Sequence, residues 1–110
     1  MRKATAEERR HMDFVATQPC LVSGQRGVTL HHVTGYADRM GRFSRSHRLV
    51  VPLAPEYHLI QHDKHQTLSV EALGHRGFHQ EWGIDLLAEA MRLEEESVAA
   101  GRLSPREIAA

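Results

Sequence analysis

Nine histidines stand in a chain of 110 residues, at positions 11, 31, 32, 47, 58, 62, 65, 75 and 79. Imidazole is the commonest metal ligand and the commonest group for moving a proton near neutral pH, so their spacing is weighed first. His58 and His62 are four apart. On a helix that separation is about 6 Å along the axis and about 40° around it, close enough for both to hold one ion. Spacing alone is weak evidence, because nine histidines scattered over this length give roughly 0.7 such pairs by chance. His75 and His79 form a second pair, read as surface residues before a second metal site, and the adjacent His31 and His32 are no rarer than chance. His11 and His65 receive no role.

The order of elements adds what spacing lacks. Residues 4–16 are good helix formers with apolar positions three and four apart, and the helix ends before Pro19. Ser23, Gly24 and Gly27 make a turn, after which Val28 and Leu30 alternate with Thr29 and His31 as a short strand running into His32. Over 26–48 the chain has five arginines and one aspartate, a basic stretch in a neutral protein. Leu49, Val50 and Val51 form a second strand, limited by Pro52 to a short or edge position. Pro55 then opens a helix expected over about 55–64. The resulting unit has a strand ending in two histidines, a basic loop, a second strand, and a helix bearing His58 and His62. It is a ββα arrangement around one metal ion. Neighbours on a regular strand point to opposite faces, so the strand is expected to twist or end between His31 and His32.

Beyond this unit a turn is expected around Gly74 and Gly77. Phe78 and Trp82 follow on a helical piece that Gly83 ends, and both are read with Leu86 as core. Asp85 is the expected N-cap of a longer helix carrying Leu86, Leu87, Ala90, Met91 and Leu93. Residues 81–97 hold six acids against Arg92 alone, an acidic face that could pair with the basic stretch within one chain or between two. Ser104-Pro105-Arg106-Glu107 has the form of a capping box but leads only to a frayed turn.

With 41% apolar and 25% charged residues, the composition is that of one ordinary small domain. No apolar run reaches the roughly 18 residues of a membrane span, and the basic, acidic start lacks a signal-peptide core, so a cytoplasmic protein is expected. The single cysteine, Cys20, excludes an internal disulfide and a multi-thiolate zinc site within one chain.

The run Pro19-Cys20-Leu21-Val22-Ser23-Gly24, then Leu30-His31-His32, Val50-Val51-Pro52-Leu53 and His58-x3-His62, resembles the HNH endonucleases of the ββα-metal fold. Within them it is most similar to the phage recombination-enhancement (Ref-type) nucleases, continuing through Ser69-Val70, Phe78 and Trp82-Gly83-Ile84-Asp85. The resemblance covers roughly 19–93 and implies a ββα-metal core there; with the helix read at 1–18 and the helix end and tail at 94–110, the expected fold class is α+β. The resemblance also implies a DNA endonuclease or nickase in phage or prophage recombination or repair, in a bacterial or phage-infected cell. His31, His58 and His62 would hold one divalent ion, and His32 beside His31 would be the general base. Mg²⁺, Mn²⁺, Ni²⁺ and Zn²⁺ all stay open, with imidazole favouring the last three. The family's base-orienting Asn falls near 46–49, where this chain offers Ser46 and His47; His47 is a candidate substitute, the alternative being a backbone carbonyl that holds His32 with weaker catalysis. Only Cys20 remains of the paired knuckle cysteines, with Ser23, Ala54 and Tyr57 at the other places, which argues against a structural zinc. Arg39, Arg42, Arg45 and Arg48 become candidate phosphate contacts. DNA is the implied partner, with a RecA filament to deliver it. A degenerate domain that binds DNA or metal without cutting, and a histidine-rich metal sensor, are the alternatives.

Overall fold

In the computed structural model, which describes residues 3–33 and 46–106, the first element is helix α1 (Ala6–Ala16). Its start is a reciprocal capping box: the Glu8 N–H donates to Thr5 Oγ1, and the Thr5 N–H to Glu8 Oε1. Glu8, His11 and Val15 form its buried stripe, with Val15 fully enclosed. Strands β1 (Thr29–His32) and β2 (Val50–Leu53) pair antiparallel in the register Thr29 to Leu53, Leu30 to Pro52, His31 to Val51 and His32 to Val50. Pro52 lies inside β2 rather than ending it. A two-stranded sheet has only edges, so its missing N–H interrupts no central ladder, and its carbonyl accepts from the Leu21 N–H.

All four β2 residues are buried, and their alternation divides the core. Val51 and Leu53 pack with Cys20, Phe78, Leu86 and Ala90, whereas Val50 packs with Val15 and Leu93. Leu30 joins the second group, so even-numbered positions of the strand pair share the α1 face and odd-numbered positions the opposite one. Cys20 is a small buried core residue.

The helix expected over 55–64 is shorter and broken. Helix α2 (Pro55–His58) is a single turn, Leu59 takes extended backbone angles, and a 3-10 turn follows over Ile60–His62. The chain is then gathered by Asp63, whose carboxylate accepts from the Leu68 and Ser69 N–H groups at 2.8 Å and the His65 N–H at 3.2 Å. Burial opposes its charge, yet the Ser69, Leu68 and His65 donors prevail and hold the carboxyl below the usual carboxylate range. Ser69, so fixed, caps helix α3 (Val70–Trp82).

Instead of a turn at Gly74 and Gly77, α3 runs through both with one non-helical joint at Gly74, at φ 72° and ψ 168°. Phe78 is fully buried, the Trp82 indole donates to the Leu68 carbonyl, and Gly83 closes the helix in the left-handed region. Helix α4 (Leu86–Ala99) is capped by Asp85 and buries Leu86, Ala90, Leu93, Glu94 and Ser97. After it, Ser104 and Arg106 are not helical; they are tied to Glu7 and Glu94. The four helices and the antiparallel pair make a small α+β fold, in which no described helix is long and apolar enough to cross a membrane.

Candidate functional site

Strand β1 neither twists out of register nor ends between its two histidines. His31 and His32 diverge as strand neighbours must, and each meets another histidine on its own face. On the odd-numbered face, His31 Nε2 lies 2.8 Å from His75 Nε2, and the His31 ring centroid is 5.1 Å from those of His58 and His75. On the other face, His32 Nε2 is 3.0 Å from Nδ1 of His47, a buried residue just before β2.

The first group lines a pocket of about 240 Å³ with Val70, Glu71 and Gly74. Its protonation follows from its surroundings. Burial, then the neighbouring His58, His75 and His32, pushes His31 down to about 3. Burial also lowers His58, against the opposing pull of Glu71, and lowers His75. These imidazoles are neutral at pH 7, the form that binds a metal. The His58 tautomer can be deduced. The one Thr29 hydroxyl hydrogen goes to the Leu53 carbonyl at 2.8 Å, so at the 2.7 Å contact with His58 Nδ1 the ring donates and Thr29 Oγ1 accepts. Nδ1 then carries the proton and Nε2 the lone pair. A second group that fixes a ring in this way is the usual support of a metal-binding histidine.

The donor type therefore fits a divalent transition ion. Among the described residues no group of three or more His, Cys, Asp or Glu side chains is spaced to hold a metal ion. The His31 and His75 nitrogens, at 2.8 Å, are closer than the roughly 3.3 Å expected across a tetrahedral zinc with bonds near 2.05 Å.

Other sequence expectations fare differently. His62 does not reach the pocket: with Leu59 extended, it is no longer one helical turn from His58, and it stands exposed beside Gln61. Arg48 is not turned outward to a phosphate. Its guanidinium lies 2.6 Å from Glu94 and donates to the Ser104 carbonyl at 2.7 Å, because the buried Glu94 carboxylate requires an opposite charge there. The acidic helix and the end of the basic stretch thus pair within one chain. Arg39, Arg42 and Arg45 lie outside the described residues.

By its sequence His75 reads as a surface or DNA-facing residue, because its one signal, the four-residue spacing to His79, is explained by chance. A second recess of about 350 Å³ shares His75 and adds Arg76, His79 and Asp85. Compared with family models, curated proteins and solved structures, the chain finds no match.

Proposed function

We propose that the chain is a metal-dependent DNA endonuclease or nickase of the HNH type, built on a ββα-metal core. One observation supports this above others: the pocket beside β1 brings His31, His58 and His75 together as neutral imidazoles, the donor type that holds a divalent ion. In this reading His31 and His58 would hold a divalent ion, which would supply positive charge to offset that of the phosphodiester. His32 would take the proton from the attacking water, and His47 holds the His32 ring through Nε2 in place of an asparagine; because His32 leaves β1 on the face opposite His31, the scissile phosphate has to straddle the strand for both to reach it. With zero formal charge the chain has little long-range attraction for DNA, which fits delivery by a partner such as a RecA filament.

A second reading, a module that binds DNA or metal without cutting, draws on the lack of any three-ligand group spaced for a metal among the described residues. Plasmid cleavage separates the two. Chelator-treated protein is supplied with Mg²⁺, Mn²⁺, Ni²⁺ or Zn²⁺, with and without RecA-coated single strands, beside His32→Ala and His58→Ala. Metal-dependent nicking that both variants lose by at least about a hundredfold is expected; intact plasmid under every condition would sink the enzyme reading.

A further inference from the structure

We propose that His75 is a ligand of this pocket's metal ion, together with His31 and His58, in the place the sequence assigned to His62. The inference rests on the metal-centre reading above but not on DNA cleavage. Three independent features converge on it.

The first is the contact itself: His31 and His75 meet Nε2 to Nε2 at 2.8 Å. Without an ion, one ring must donate its proton to the other; with an ion between them, both nitrogens offer lone pairs after separating by roughly half an ångström. The second is the tautomer of His58. Thr29 holds the proton on Nδ1, leaving Nε2 as the coordinating atom of a ring already in edge contact with His31. The third is the joint at Gly74. It breaks α3 immediately before His75, so the segment bearing that residue is offset from Glu71, which lines the same pocket one turn earlier. By contrast, His62 is exposed and outside this pocket. Three imidazoles with a carboxylate alongside favour a borderline cation, Zn²⁺ or Ni²⁺, over Mg²⁺.

The test is calorimetric titration of the chelator-treated full chain with Zn²⁺ and Ni²⁺, comparing wild type with His75→Ala, His75→Gln, His31→Ala and His62→Ala. Far-UV circular dichroism checks that each variant is folded. The expected result is that both His75 variants and His31→Ala lose roughly tenfold or more in affinity, while His62→Ala stays within about twofold of wild type. A wild-type measurement guards against misfolded variants: imidazole ¹⁵N resonances of His31, His58 and His75 should move on Zn²⁺ addition, with His62 unmoved. Wild-type affinity in folded His75→Gln, an unmoved His75 ring, loss at His62 instead, or no binding by wild type would each overturn the proposal. Neither measurement reads cleavage, so inactivity toward plasmid would defeat the nuclease reading and leave this one standing.

Discussion

Thr29 shows how much chemistry a single hydroxyl can direct. Because it has one hydrogen and gives it to Leu53, it dictates which His58 nitrogen is protonated. Thr29→Val keeps the shape and the strand preference but removes that acceptor. We expect Zn²⁺ affinity to fall roughly tenfold with circular dichroism unchanged; an affinity equal to wild type would show that His58 needs no such support. His11 illustrates the same logic away from the pocket. Its Nε2 faces the Arg48 carbonyl, which can only accept, so Nε2 donates and Nδ1 accepts from Ser97. The ring is neutral and fully enclosed.

At the scale of elements, the decisive features are interruptions. Leu59 ends α2 after one turn and removes His62 from the His58 face; Gly74 divides α3 and sets His75 against His31. At φ 72° and ψ 168° Gly74 occupies a region that side-chain-bearing residues avoid, although a Cβ there would meet no neighbour within 4 Å. Gly74→Ala is therefore a test of backbone strain alone. It should cost about 1–3 kcal/mol in urea unfolding, and, if the helix straightens to relieve the strain, weaken metal binding as well. A variant as stable as wild type would show that the joint is not what holds His75 in place.

At the scale of the whole molecule, α1, β2 and α4 are joined by polar ties through the core. His11 links α1 to Ser97 of α4 and to the chain entering β2, while Arg48 joins Glu94 at side-chain exposures of 15% and 8%. Burial would raise Glu94, but Arg106 and Arg48 outweigh it and keep the carboxyl below its usual value. Arg48→Met should destabilise by about 2–4 kcal/mol, since it leaves a buried charge short of a partner. If the chain binds DNA as proposed, the salt dependence of that binding should not change in this variant; a shallower salt slope would restore Arg48 as a phosphate contact. Burial lowers the His11 pKa from 6.5, so the unfolded chain binds its proton first as pH falls. Its contribution is therefore complete above about pH 6.5 and is lost below it, in the same direction as those of His31, His58 and His75. Urea unfolding between pH 8 and pH 5 should show a shallower fall in His11→Gln than in wild type, by at most about 1.4 kcal/mol per pH unit. Parallel curves would mean that His11 titrates as an ordinary exposed histidine.

The local rules written into the residues determined much of this protein. Apolar spacing placed α1 and α4, Asp85 and Gly83 marked helix ends, the alternation around Val28 to His31 and the run at Val50 marked the strands, and Phe78 and Leu86 read as core. Each depends on neighbours within a few positions, so each was legible. The candidate site was only half legible. His31 and His58 could be singled out, but the replacement of His62 by His75 depends on a backbone break at Leu59 and another at Gly74, followed by contact across 44 residues of chain. The inward turn of Arg48 likewise depends on where α4 sets Glu94. Only the tertiary structure decides such pairings, because a side chain's partner is chosen by the packing of distant elements and not by its own type or spacing.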